Sequence, residues 1–322
     1  MKKPKLYITR RVPEEVIAPY REYFTVDMWH KEEEPVPREI LLREVSDSQA
    51  IICMLSDKMD KEVFGTGKTL QVVANLAVGY DNIDLKEAAK ARVVVTNTPG
   101  VLTESTADLG FALLLASARR IVEANQYIKA DKWKNWSPYL LAGNDVHGKT
   151  IGIVGMGRIG EAIARRAKGF GMDILYHNRS RKEEAEKRIG ATYVSFTKLL
   201  EKADFVISVV PATEETKHMF NLEAFRKMKQ TAVFVNISRG SVVDESALLE
   251  AIEAKEVAAV GLDVFAEEPI NSEHPLLNKT NVVCLPHIGS ASVETRTKML
   301  QLCLDNVKSV HQGKGAITEV KQ

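Results

Sequence analysis

The chain has 322 residues, 45% of them hydrophobic and 27% charged, a make-up that suits a globular protein with room for two domains and a core in each. Lys+Arg 44 against Asp+Glu 43 leaves a formal charge of +1. That balance removes the electrostatic footprint of a nucleic-acid or anionic-membrane binder.

Apolar runs at Lys5–Thr9, Ala50–Leu55, Val72–Leu76 and Val93–Thr96 predict buried strands. Amphipathic stretches at Pro13–Phe24, Arg38–Val45, Lys61–Phe64 and Ile83–Lys90 lie between them, and such alternation means a parallel sheet covered on both faces. Glu104 to Ile128 reads as one long helix, apolar almost all round in its first half and therefore buried there. Trp133, Trp136 and Pro138 follow in an irregular patch; the tryptophans either pack under a loop or anchor an interface. The most apolar stretch, Leu109 to Ala118, is bounded by Asp108 and Arg119 and is too short to span a bilayer. The N-terminal stretch carries no signal-peptide core. Cys53, Cys284 and Cys303 stand far apart in apolar runs with no metal-ligand spacing, as small buried hydrophobes in a reducing compartment would. A cytoplasmic protein without metal, membrane or nucleic-acid partner is expected.

At Gly148 a second alternating series begins. Strands are predicted at Thr150–Val154, Asp173–Tyr176, Phe205–Val209, Ala232–Asn236, Ala258–Leu262 and Val282–Leu285. Helices are predicted at Gly160–Lys168, Lys182–Arg188, Leu222–Lys227 and Ser246–Ala254. Six strands with crossover helices make a complete dinucleotide-binding sheet. The first of them runs into Gly155-Met-Gly157-Arg158-Ile159-Gly160, a G-x-G-x-x-G that follows a strand and opens a helix. Gly155 allows the tight turn, Gly157 the approach of a pyrophosphate, and Gly160 close helix–strand packing, with the helix N-terminus facing the phosphates. About 20 residues on, where an acid would bond the adenosine ribose of NAD, stand Asn178, Arg179 and Arg181. Without a carboxylate to repel a 2′-phosphate, and with two guanidiniums to bind it, the pattern favours NADPH, with NADH possible. The last predicted helix, Ser292–Gln312, has no sheet of its own and could return to the first lobe.

Arg239, Glu268 and His287 follow the carboxyl ends of three successive predicted strands, where open α/β sheets build their sites. Beside a nucleotide fold they match the needs of hydride transfer to a 2-keto acid. A histidine can give and take the proton, a carboxylate can orient its ring, and an arginine can hold the substrate carboxylate and polarise the carbonyl.

These motifs, with Asn75–Asp84, Asn97–Thr103, Asn236–Gly240, Asp263–Pro269 and Leu285–Ser290 in order along the chain, closely resemble the D-isomer-specific 2-hydroxyacid dehydrogenase family and its glyoxylate/hydroxypyruvate reductase branch. The resemblance implies two doubly wound α/β domains: a Rossmann NAD(P)-binding domain, 100–290, inserted in a flavodoxin-like substrate domain, 1–99 plus 291–322. It implies a homodimer built through the long helix and the loop after it. It assigns Arg239 to substrate and cofactor, Glu268 to orienting the histidine and His287 to acid/base catalysis. The amides of Val78 and Gly79 are expected to receive the substrate carboxylate, with Leu55 nearby and Trp136 reaching the neighbouring subunit's pocket. Around the cofactor it points to Thr106, Arg158, Ile159, Pro211, Thr216, Ile237, Asp263 and Gly289. The expected reaction is reduction of glyoxylate or hydroxypyruvate. The rivals are a dehydrogenase for a bulkier keto acid or phosphohydroxypyruvate, and a nucleotide-sensing corepressor or scaffold.

Overall fold

The computed structural model describes residues 3–321, and the chain forms two compact units, Met1–Leu102 with Ser292–Gln322, and Thr103–Ala291. The first unit holds β1 (Lys5–Ile8), β2 (Thr25–Met28), β3 (Ala50–Cys53), β4 (Val72–Asn75) and β5 (Val94–Thr96) in the order β2-β1-β3-β4-β5. Every pairing is parallel. This is the flavodoxin-like order, with the switch point between β1 and β3. Alternate strand residues feed two cores, as the period of two requires. Tyr7, Ile51, Val73 and Val95 face one layer, and Leu6, Ile8, Ile52 and Ala74 the other.

Leu300, Cys303, Leu304 and Val307 of the helix Val293–His311 complete that second layer. Burial of each large aliphatic side chain contributes ~1.5–3 kcal/mol. The helix is therefore firmly held by a sheet from which nearly two hundred residues separate it.

The second unit holds seven parallel strands: β6 (Thr150–Val154), β7 (Asp173–His177), β8 (Thr192–Tyr193), β9 (Phe205–Ser208), β10 (Val233–Asn236), β11 (Ala259–Leu262) and β12 (Val282–Cys284). Their order is β12-β11-β10-β9-β6-β7-β8, the Rossmann arrangement, reversing direction between β6 and β9. Register aligns the carboxyl ends: Val154 lies beside Ser208, Ser208 beside Asn236, Asn236 beside Leu262, and Leu262 beside Cys284. The loops that leave these strands thus start from one row.

Some elements differ from the sequence expectation. The segment Glu104–Ile128 is two helices, Thr103–Ala118 and Ile121–Lys129, because Arg120 takes a left-handed φ of 53° that ends the first and redirects the second. Pro19 turns the expected helix over Pro13–Phe24 into a short α-helix, Glu14–Ile17, and a 3-10 turn, Ala18–Glu22. Strands β2 and β8 and the helix Phe196–Lys202 were not foreseen. The two strands are short, outermost and partly exposed, so no apolar run marks them. Among the described residues no helix is long and apolar enough to cross a membrane.

Candidate active site

The glycine turn after β6 is built as its spacing requires. Gly155 has φ +105° and donates its N–H to the His177 carbonyl at 2.9 Å, and an added Cβ would lie 2.8 Å from the Val209 oxygen. At Gly160 a Cβ would meet the Gly155 carbonyl oxygen at 2.1 Å, so helix Arg158–Gly169 can close on its own turn only with glycine there. Gly157 caps that helix with no side-chain bond, and its Cβ position meets nothing within 4 Å. The fold itself thus leaves open the position where a pyrophosphate must approach, with unsatisfied N–H donors behind it. The turn fits a dinucleotide. Arg158 is exposed, and Ile159 leans on the core.

Beyond β7, the Asn178 amide donates to the Ser180 carbonyl at 2.9 Å, bracing a tight loop. Arg179 is exposed. Arg181 is engaged: its Nε and terminal nitrogen donate to the two oxygens of Glu186, both at 2.8 Å. Glu186 also accepts the Tyr176 hydroxyl at 2.6 Å. The Arg181 bond first, then the Tyr176 bond, hold the Glu186 carboxyl down at about 2. The two-guanidinium fork expected at Arg179 and Arg181 is therefore half committed within the chain. Glu186 was missed because it lies five positions after Arg181 and sits among other helix-start acids. Glu215, in the loop after β9, is held below its usual range by the Thr213 hydroxyl, then by its own backbone N–H, with the charge of Arg179 adding to them. In the same loop the Thr216 hydroxyl donates to the Pro211 carbonyl at 2.7 Å.

The ends of β10, β11 and β12 converge. Asn236 Nδ2 donates to the Arg239 carbonyl at 3.0 Å, while its oxygen takes the Ser238 N–H and hydroxyl. Gly240 abuts the next loop so closely that a Cβ would lie 1.8 Å from the Phe265 carbonyl carbon. Glu268 Oε1 accepts the Phe265 N–H at 2.9 Å, and Oε2 meets His287 Nδ1 at 2.7 Å. Burial alone would raise the Glu268 carboxyl. The His287 bond and charge, the Phe265 N–H and the Arg239 guanidinium outweigh it and hold the carboxyl below its ordinary range. His287 sits at φ 53°, a conformation that costs a non-glycine residue energy and is kept where the surroundings insist on it. Asp263 supplies that insistence, its two oxygens accepting the Ile288 and Gly289 N–H groups, each at 2.8 Å. Burial raises the Asp263 carboxyl despite those bonds.

With Nδ1 on a carboxylate, the His287 ring is fixed and its Nε2 edge is left to carry a proton to or from a reactant. Thr106 lies beside Gly289, its methyl 3.4 Å from where a Cβ would stand. Ile237 points into the core, so only its backbone can face a ligand. Among the described residues no group of three or more His, Cys, Asp or Glu side chains is placed to hold a metal.

In the first unit Leu55, Val78 and Gly79 are half-buried after the ends of β3 and β4. The Val78 carbonyl accepts the Asn97 amide at 2.8 Å and the Gly79 carbonyl the Asn75 amide at 2.7 Å. With both oxygens turned inward, the Val78 and Gly79 N–H groups bond to nothing among the described residues.

The tryptophan patch corrects one expectation. Trp133 is 55% exposed, Trp136 74% and Tyr139 88%, so the tryptophans do not pack under a loop of their own chain.

Residues 111–289 match the family model of the D-isomer specific 2-hydroxyacid dehydrogenase NAD-binding domain. A curated glyoxylate reductase from Korarchaeum cryptofilum is 51% identical over 312 residues, spanning 97% of this chain and 94% of its own length. A glyoxylate reductase structure from Paecilomyes thermophila superposes with a TM-score of 0.87 at 32% identity, over 99% of both chains. The NADPH-dependent glyoxylate/hydroxypyruvate reductase of Sinorhizobium meliloti, solved with NADP and malonate, gives a TM-score of 0.86 at 34% identity, over 99% of this chain and 97% of its own.

Proposed function

The chain belongs to the D-isomer specific 2-hydroxyacid dehydrogenase family and is an NAD(P)-dependent dehydrogenase, and from that premise we propose that it reduces glyoxylate or hydroxypyruvate to the D-2-hydroxy acid with NADPH. The observation that carries the reading is the 2.7 Å His287–Glu268 pair, next to the Arg239 charge and in the same sheet as the Gly155–Gly160 turn.

The Gly155–Gly160 turn and the helix N-terminus behind it would hold the pyrophosphate of a nicotinamide dinucleotide, whose reduced ring would supply the hydride when bound. Every other element of the chemistry belongs to the chain. His287 carries a proton at Nε2 and gives it to the carbonyl oxygen as negative charge develops there. Glu268 accepts from Nδ1 and fixes the ring plane. Arg239 binds the keto-acid carboxylate and polarises its carbonyl. In the first unit, the unengaged amides of Val78 and Gly79 are the groups assigned to a substrate carboxylate, with Leu55 beside them.

The NADPH preference rests on Asn178, which offers no carboxylate against a 2′-phosphate, and on exposed Arg179. Arg181 joins only by leaving Glu186. Asp263 and Gly289 shape the nicotinamide end, and Thr106, Arg158, Ile159, Pro211, Thr216 and Ile237 line the cofactor. A homodimer is supported by the exposed side chains of Ile121, Val122, Ile128, Trp133 and Trp136, an apolar run of the kind that marks interfaces.

Initial rates for glyoxylate and hydroxypyruvate, each with NADPH and NADH, test the proposal. Turnover of either acid with NADPH preferred supports it. NADH preference removes the account of Asn178, and no turnover with either cofactor removes the substrate.

A further inference from the structure

Two stretches of the first unit stand where the proposed function places the keto acid. One is the turn Met54–Asp57, which carries Leu55 at its tip. The Asp57 N–H closes it on the Met54 carbonyl at 3.0 Å, and the Met54 N–H returns to Asp57 Oδ2 at 2.8 Å. Arg10 braces it from just beyond β1, pairing with Asp57 Oδ1 at 3.2 Å and donating to the Ser56 hydroxyl at 2.7 Å. The Thr9 hydroxyl donates to Asp57 Oδ2.

The other stretch is Ala77–Gly79. Its three successive carbonyls are all pinned, Ala77 by the Thr98 N–H at 2.8 Å, Val78 by Asn97 and Gly79 by Asn75. Each pinned oxygen sets the plane of the peptide it belongs to, and with it the direction of the next N–H.

One side chain joins the two. Asn82 Nδ2 donates to the Met54 carbonyl at 3.0 Å and the Asp57 carbonyl at 3.1 Å, the two ends of the Leu55 turn. The same carboxamide pairs with that of fully buried Asn75 in both directions, at 3.1 and 3.3 Å. Asn75 in turn holds Gly79. Asn82 Nδ2 thus has three acceptors for two hydrogens, a fully used donor. Its own carbonyl accepts the Met59 N–H at 2.9 Å, which fixes its backbone as well.

We propose that Asn82 is a positioning residue that sets the separation between the Leu55 turn and the Val78–Gly79 amides, and so the length of 2-keto acid the enzyme prefers. The inference rests on the reading that those amides take the substrate carboxylate. Asn82 acts only through the two loops. Its loss therefore changes how well a short acid fits, and leaves intact the groups that move the proton and hold the nucleotide.

The test compares Asn82→Ala and Asn82→Asp with the wild type. The aspartate keeps the shape and one acceptor but loses both donors to the turn. Steady-state constants for glyoxylate and for 2-ketobutyrate are measured alongside NADPH affinity and melting temperature. The expected result is a KM for glyoxylate raised ~10-fold, the scale of one lost hydrogen bond, with kcat and NADPH affinity little changed. The ratio of kcat/KM for glyoxylate over 2-ketobutyrate should fall in both variants. A lower melting temperature with that ratio unchanged in the folded Asn82→Asp protein overturns the proposal, because a merely structural residue would give that result. A wild type that reduces neither acid overturns the parent reading instead, and the two failures are distinct.

Discussion

Replacing Glu268 with glutamine removes one charge from the His287 pair at constant shape. Two unit charges about 4 Å apart attract by ~1 kcal/mol in bulk water and ~4 kcal/mol at an effective dielectric constant of about 20. The two side chains are 27% and 33% exposed, so solvent screens the pair and a value of about 1.5 kcal/mol is appropriate. Loss of that attraction from the pair that carries the proton should lower kcat for keto-acid reduction ~10-fold in Glu268→Gln, since each 1.36 kcal/mol is a factor of ten. The glutamine can still accept the Phe265 N–H, which keeps the loop in place. The assay is kcat and kcat/KM for glyoxylate, with NADPH affinity as the control. An unchanged kcat would refute the coupling of Glu268 to the proton carried by His287.

The two glycines of the nucleotide turn should separate by mechanism. Gly160→Ala drives a Cβ onto a backbone oxygen and should destabilise the unit by ~1–3 kcal/mol in urea unfolding; Gly157→Ala points into open space and should weaken NADPH affinity with stability unchanged. Asn178→Asp should shift the kcat/KM ratio toward NADH, and an unchanged ratio would count against the ribose-pocket argument. Because the Glu268 carboxyl is held below its ordinary range when folded, its contribution to stability is present above that range and is lost as pH falls through the folded value. Wild type should therefore lose more stability than Glu268→Gln between pH 6 and pH 3 in denaturant titrations.

The sequence was most informative where a feature repeats or obeys a backbone rule. Apolar runs closed by one asparagine each, Val72–Asn75 and Val233–Asn236, became fully buried inner strands, and the Gly155–Gly160 spacing became a turn whose first and last glycines no other residue fits. Arg239, Glu268 and His287 could be picked out because parallel strands launch their loops from one row. Contacts made by polar side chains across loops were not legible. Neither Asn82 with the Met54–Asp57 turn nor Asp263 with the Ile288 and Gly289 amides has a local spacing signature. Arg181 looked like a phosphate ligand because its partner Glu186 is brought near only when the helix Glu183–Ile189 folds. The break at Arg120 was hidden for a related reason: a left-handed arginine leaves no mark in composition.

The terminal helix Val293–His311 also bears on the order in which the molecule is made. A ribosome delivers β1 to β5 first, but the layer formed by Leu6, Ile8, Ile52 and Ala74 lacks Leu300, Cys303, Leu304 and Val307 until all of Thr103–Ala291 has been synthesised. The nucleotide unit is contiguous and can close its core as it emerges. The first unit must meanwhile wait with that side of its sheet covered only in part, by Val16, Ile17 and Phe24. The part of the chain that is born first is thus the last to be finished, and the newborn protein is most exposed to aggregation and to chaperones through that half-covered sheet face.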